Sequence, residues 1–249
     1  VSAADSDLRL ISGKPVESGA DSIWAGIQIR LDPGWKTYWR NPGDSGVPPY
    51  FDWSGSSNLK SVDVLYPAPG NFEEAGGISY GYKNEVVFPL RVTPKDPSEP
   101  VDLKLQMEYG LCKDICIPNQ AELSMALPPE PKPDSGTTML LDRYLALVPK
   151  PQAQGKLPAI VKVTPELGGK TPTLLIEANF PKNSERTDLY IEAEGEYVPP
   201  PELVGSDGGT KRFTVAFQDM DEAEALKGKR FTLTLVGDRG AREASWRFE

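Results

Sequence analysis

Apolar and polar positions alternate with a period of two through most of the first half of the chain. From Val101 to Tyr109 the odd positions are apolar or aromatic and the even ones polar, which predicts a strand with one buried face. Ser22–Leu31 reads the same way, with Ile23, Ile27, Ile29 and Leu31 on one side. Shorter segments at Leu8–Ile11, Val62–Tyr66, Val86–Val92 and Leu123–Leu127 are separated by Gly, Pro and Asn. Short strands with turn residues between them predict an antiparallel sandwich, not a parallel α/β sheet.

The pattern then breaks. Pro128-Pro129-Glu130-Pro131-Lys132-Pro133-Asp134 cannot lie in a central strand and reads as a stiff linker. Met139, Leu140, Tyr144, Leu145 and Val148 follow near helical spacing, so a helix is expected from about Gly136 to Val148. Asp134 or Ser135 would cap it and Pro149 would end it. A second strand series covers Ala159–Val163, Thr173–Ala178, Asp188–Glu192, Phe213–Phe217, Phe231–Val236 and Ala244–Phe248. A short helix between Asp219 and Lys227, capped by Asp219 and closed by Gly228, interrupts it. The expected organisation is a first domain over 1–130, a Pro-rich linker with helix over 131–156, and a second sandwich over 157–249. The fold class is all-β.

Composition narrows the function. The 249 residues are 39% hydrophobic and 25% charged, as in ordinary globular proteins. A net charge of −9 argues against nucleic acid, whose phosphates need clustered Lys and Arg. An acidic balance usually reflects solubility. No run of about 18 apolar residues is present to span a membrane. The opening Val1-Ser2-Ala3-Ala4-Asp5 suits a mature terminus left by signal cleavage, and equally a chain trimmed at its start. There is no histidine, which removes most acid–base triads and metal sites. Two cysteines, Cys112 and Cys116, carry the available covalent chemistry.

Four residues of extended strand span roughly 13 Å, whereas disulfide Cα atoms stand about 4.4–6.8 Å apart. A Cys112–Cys116 bond therefore requires a turn, and Gly110, Lys113 and Asp114 suit one between flanking strands. Closing so short a loop contributes about 2 kcal/mol on the chain-entropy model, against about 4.7 for a 100-residue loop. Such a bridge is a weak staple, which favours a redox-active pair over a structural disulfide. Lys113 favours a thiolate and Asp114 opposes it. Cu(I) binding through Cys112, Cys116 and Met107 is a third reading, whereas zinc lacks further Cys or His ligands. Gly43-Asp44-Ser45-Gly46 has the look of a serine-protease segment but no histidine base exists. Glu73-Glu74 reads as a solvated pair rather than a glycosidase acid and base.

Leu31-Asp32-Pro33-Gly34-Trp35-Lys36-Thr37-Tyr38-Trp39-Arg40-Asn41-Pro42-Gly43-Asp44-Ser45-Gly46 is the longest motif. With Tyr66-Pro67-Ala68-Pro69, Tyr80-Gly81-Tyr82 and Tyr109-Gly110-Leu111-Cys112-Lys113-Asp114-Ile115-Cys116-Ile117-Pro118, it resembles the N-terminal periplasmic region of the DsbD/ScsB family of transmembrane protein-disulfide reductases. The resemblance covers about residues 5–130 and is nearer the ScsB-like branch. It implies a periplasmic, immunoglobulin-like domain that takes electrons from the membrane reductase and passes them to substrate proteins. The whole chain would then be two tandem immunoglobulin-like antiparallel β-sandwiches. Cys112 and Cys116 would be the catalytic pair, Cys116 being by position the attacking cysteine. Three residues separate the pair here, fewer than in the DsbD type. Tyr38, Phe72, Glu74, Tyr109, Lys113, Asp114 and Pro118 would surround it.

The same resemblance implies a cap loop that shields the pair with a phenylalanine. Ala75 stands at that place and Phe72 is the nearest substitute. No cofactor is expected. The implied partners are the transmembrane and thioredoxin-like domains of the same reductase and periplasmic thioredoxin-fold substrates, with no nucleic acid and a monomeric chain. The competing class is a non-catalytic binding module whose disulfide is structural.

Overall fold

The computed structural model describes residues 2–3, 5–16, 21–74, 77–168 and 171–249. The chain divides into two compact units, Val1–Val148 and Pro149–Glu249. In the first lie β1 (Ser2–Ala3), β2 (Ser6–Pro15), β3 (Ile23–Leu31), β4 (Lys36–Gly43), β5 (Tyr50–Asp52) and β6 (Leu59–Val64). These are followed by β7 (Gly70–Glu74), β8 (Gly77–Lys83), β9 (Glu85–Pro94), β10 (Val101–Cys112), β11 (Cys116–Leu127) and α1 (Ser135–Leu147). One sheet runs β1-β2-β3-β9-β6 and the other β11-β10-β4-β8-β7, with β5 also paired to β10. Both are antiparallel.

The alternation on β10 fixes how this sandwich closes. Val101, Leu103, Leu105, Met107, Tyr109 and Leu111 are all buried, and Asp102, Lys104, Gln106 and Glu108 are exposed. The Tyr109 hydroxyl meets Ser6 Oγ of β2, in the opposite sheet, at 3.0 Å. A cluster of edge-on aromatics fills the same interior: Phe88 stands 5.4 Å from Tyr66, 5.5 Å from Tyr82 and 5.9 Å from Phe51, centroid to centroid. Phe88, the fully buried ring at the centre of the cluster, contributes about 1.5–3 kcal/mol by its burial.

The helix forms where its cap predicts. Asp134 accepts from Thr137 N at 3.0 Å and Thr137 Oγ1 at 2.6 Å, and extended Val148 ends the helix before Pro149. Leu141 and Tyr144 are its buried residues. Gly13 of β2 gives Leu141 its seat, since a Cβ there would lie 2.5 Å from Leu141 Cδ2. The Tyr144 hydroxyl donates to Glu85 O at 2.9 Å. The helix expected in the linker therefore packs into the first unit, which extends to residue 148 instead of ending at 130.

The second unit contains β12 (Lys150–Pro151), β13 (Ala159–Glu166), β14 (Thr173–Asn179), β15 (Thr187–Ala193), β16 (Glu202–Asp207) and β17 (Thr210–Ala216). After α2 (Met220–Ala225) come β18 (Arg230–Gly237) and β19 (Gly240–Arg247). Two four-stranded sheets, β12-β19-β18-β15 and β13-β14-β17-β16, enclose a core of Leu174, Ile176, Phe213, Val215, Leu233 and Phe248 with their neighbours. Every pairing is antiparallel except β12 with β19. Asp219 caps α2 by accepting from Glu222 N at 3.0 Å, as its position predicts. Among the described residues no helix is long and apolar enough to cross a membrane.

Candidate functional site

Cys112 is the last residue of β10 and Cys116 the first of β11, and the two are register partners joined as a disulfide with Cα atoms 4.1 Å apart. The turn expected between them is there: Lys113, Asp114 and Ile115 cross over, with Lys113 N donating to Ile115 O at 3.2 Å. Exposure divides the pair. Cys112 is 4% exposed, whereas Cys116 lies open to solvent beside Ile115, which is 68% exposed.

Strand parity decides which residues share the disulfide's face. Side chains alternate along β10, so even-numbered Cys112 points away from the core that Tyr109 and Met107 enter. Tyr109, expected beside the pair, instead faces inward to Ser6, and burial holds its pKa above the ordinary value. Met107 is 1% exposed on that inner face, which removes it from any copper site built on Cys112. Lys36 pairs with Cys112 across β4 and stands on its face, as does Tyr38 two residues on.

Tyr38 is the residue that touches sulfur. Its hydroxyl lies 3.2 Å from Cys116 Sγ, and since a disulfide sulfur carries no hydrogen the tyrosine donates. The ring is 1% exposed, and desolvation raises its pKa. Two glycines make room for it. A Cβ at Gly110 would lie 2.9 Å from Tyr38 Cδ2 and Cε2, and one at Gly46 would lie 2.5 Å from Cε1. Thr37 Oγ1 donates to Gly110 O at 2.9 Å and ties β4 to the cysteine strand.

Gly43-Asp44-Ser45-Gly46, set aside above as a protease look-alike, is thus part of the tyrosine's seat. Asp44 also fastens the β7–β8 hairpin: its N donates to Ile78 O at 2.9 Å, and its Oδ2 accepts from Ile78 N at 2.8 Å. On that hairpin the Phe72 ring lies 4.4 Å from Lys83 Nζ and 5.7 Å from Lys36 Nζ. Lys36 is buried, and desolvation first, then the charge of Lys83, depresses its pKa. Glu74 pairs with Gly77 through its backbone, while Ala75 lies outside the described residues. Pro118 is exposed opposite Gly110, and Lys113 and Asp114 are exposed in the turn. The structure therefore brings Tyr38, Cys112, Cys116, Lys113, Asp114 and Pro118 to one strand end. Thr37, Gly46 and Gly110 lay inside the sequence motifs, but no periodicity signals their part.

Residues 12–128 match the model of the DsbD N-terminal domain, described as "Thiol:disulfide interchange protein DsbD, N-terminal". This segment is similar to the DsbD N-terminal family. The N-terminal periplasmic domain of ScsB from Proteus mirabilis has the same fold, with a TM-score of 0.71 and 24% identity, over 99% of this chain and 94% of that one. The adhesin InvE of Yersinia pseudotuberculosis aligns with a TM-score of only 0.19 at 11% identity, over 100% of this chain and 60% of that one, and carries no argument. No curated protein matches the chain in sequence. All the residues at the strand end, from Tyr38 to Pro118, fall within the DsbD-matching segment.

Proposed function

We propose that the first unit is the periplasmic thiol–disulfide exchange module of a DsbD-type protein-disulfide reductase, with Cys112 and Cys116 as its redox pair. The observation that carries this reading is the split exposure of the disulfide, with an exposed Cys116 and a covered Cys112. Exchange requires in-line access to one sulfur and a second sulfur held ready to leave or resolve. A structural role fits less well. The β10–β11 hairpin is already zipped along its whole length from Val101↔Leu127, so a bond across its end adds only the roughly 2 kcal/mol of a short loop.

The chemistry balances over two exchanges. In the reduced module the Cys116 thiolate attacks a substrate disulfide, forming a mixed disulfide and releasing one substrate thiolate. The Cys112 thiolate then attacks Cys116 sulfur and releases the second. Two electrons pass to the substrate, two protons follow them to its thiols, and the module is left as the Cys112–Cys116 disulfide. A dithiol of the reductase's thioredoxin-like domain, fed through its transmembrane domain, restores the reduced pair by the reverse steps. Tyr38 donates its hydrogen bond to the sulfur that is attacked in that return step. The substrates are periplasmic thioredoxin-fold proteins. We read the second unit as a second immunoglobulin-like sandwich in tandem with the first.

The test is trapping. Reduced C112A, incubated with an oxidised thioredoxin-fold protein, is expected to hold it as a mixed disulfide through Cys116 on a non-reducing gel. C116A is expected to trap far less. If neither variant traps a partner, the exchange reading fails and the binding-module reading takes its place.

A further inference from the structure

The register of the β10–β11 hairpin decides where the backbone of Cys116 points. Lys113 N donates to Ile115 O at 3.2 Å, one of the two bonds that bracket a non-hydrogen-bonded pair at Cys112 and Cys116. Two positions on, the parity is the same. Gly110 O turns to β4, where Thr37 Oγ1 donates to it, and opposite Gly110 stands Pro118, which has no N–H to give β10. The N–H and C=O of Cys116, the C=O of Pro118 and both groups of Gln120 therefore point away from β10. β11 ends its sheet, and among the described residues nothing is hydrogen-bonded to these groups. The exposed cysteine is thus the first residue of a free sheet edge.

Exchange obliges a partner chain to come within a disulfide's reach of Cys116. A segment added antiparallel to this edge would share two hydrogen bonds with Cys116, its opposed residue standing about 5.5 Å away, Cα to Cα. That falls within the about 4.4–6.8 Å of a disulfide, and opposed residues share a face. A cysteine there sets its sulfur beside that of Cys116, on the side away from Cys112. The three sulfurs then lie in line, as displacement at the middle one requires. Tyr38 reaches Cys116 from β4, on the other flank of β10, and leaves the edge side clear.

We propose that β11 from Cys116 to Gln120 is a docking edge for extended, disulfide-bearing polypeptide segments, a substrate class beyond thioredoxin-fold proteins. The proposal rests on the exchange reading. The Cys116 thiolate attacks the segment's disulfide, and the segment's second sulfur leaves as a thiolate. The Cys112 thiolate then attacks Cys116 from the far side and expels the first. Both electrons come from the module's dithiol, and two protons follow them to the segment's thiols. Pro118 keeps the dock reversible: without an N–H it interrupts the outward donors between Cys116 and Gln120, a device that stops edge strands from pairing permanently.

The probes are short synthetic peptides with one cysteine near the C-terminal end, either unmodified or N-methylated one or two residues before it. In the proposed register the N–H two residues before the cysteine donates to Pro118 O, whereas the N–H one residue before faces solvent. Rates of exchange with the oxidised wild-type protein are divided by each peptide's rate with oxidised glutathione, which cancels its intrinsic thiol reactivity. Methylation two residues before the cysteine is expected to slow exchange by about two- to tenfold, and methylation one residue before to leave it unchanged. P118A supplies an outward N–H and is expected to speed the unmodified peptide by about the same factor, while Q120P removes one and is expected to slow it. Gln120 has the parity of Cys116, so Q120P costs no bond to β10. Reduced glutathione, too short to reach past Cys116, gives the reference rate for each variant. Equal rates for the two methylated peptides overturn the docking edge and leave the exchange reading standing. No exchange with any peptide or with glutathione overturns both.

Discussion

Tyr38 reaches the Cys116 sulfur only because two positions on either side of its ring carry no side chain. At Gly110 the added methyl of alanine would sit 2.9 Å from two ring carbons, closer than real Cβ contacts, with Val47 Cβ at 3.3 Å behind it. A ring with 1% exposure has nowhere to retreat. G110A is therefore expected to cost about 1–3 kcal/mol, the range for overpacking a filled site. Urea unfolding of the oxidised protein measures it, and an unchanged midpoint would show that the seat is loose. Gly46 adds a second constraint, since its φ of +143° is itself unfavourable for a residue with a Cβ. Neither requirement was legible in the sequence. Gly110 reads from the sequence as a turn residue just past the alternating strand, and the tyrosine that covers it is 72 residues away.

At the scale of elements, legibility followed periodicity. Strands β3, β9, β10 and β11 alternate or are apolar throughout, and the expected segments lie within them or overlap them. β4 gave no such signal, because Lys36–Trp39 is buried on both faces and a register shift follows between Tyr38 and Gly43. β7 and β8 are interrupted by Gly70, Gly77 and Gly81. The helix α1 was readable through its cap, and it carries a pH dependence that was not. Burial, then the negative charge of Glu85, pushes the Tyr144 pKa up to about 12 from its ordinary 10.0. The folded chain keeps this proton where the unfolded chain loses it. The resulting stability is whole below about pH 10 and drains away as pH rises toward about 12. Y144F is expected to flatten the fall in unfolding free energy between pH 9 and 11.5. Some slope should persist, because Tyr38 and Tyr109 are also raised. A slope identical to wild type would remove Tyr144 from the account.

Across the whole molecule, the boundary of the first unit is the point on which sequence and structure part. A run of prolines marks a linker by composition, yet composition cannot show where the helix beyond it packs. Leu141 and Tyr144 are 2% and 4% exposed, and Ala68 N donates to Leu147 O at 2.9 Å, so the helix closes the first unit rather than leading away from it. A fragment 1–148 keeps those contacts, and a fragment 1–130 loses them. Two large buried side chains are worth about 3–6 kcal/mol together, a large share of the 5–15 kcal/mol typical of a domain. The 1–148 fragment is expected to unfold cooperatively with its disulfide intact. The 1–130 fragment is expected to melt at least ten degrees lower or not to fold, because each kcal/mol moves the midpoint of a small domain by about 4–8 °C. Thermal unfolding of the two fragments under oxidising conditions decides it: equal midpoints would return the boundary to residue 130. The same experiment bears on the strand end that carries the disulfide, since Tyr144 holds Glu85 at the start of β9, two residues beyond the Lys83 that ends β8 and pairs with Lys36 beside Cys112.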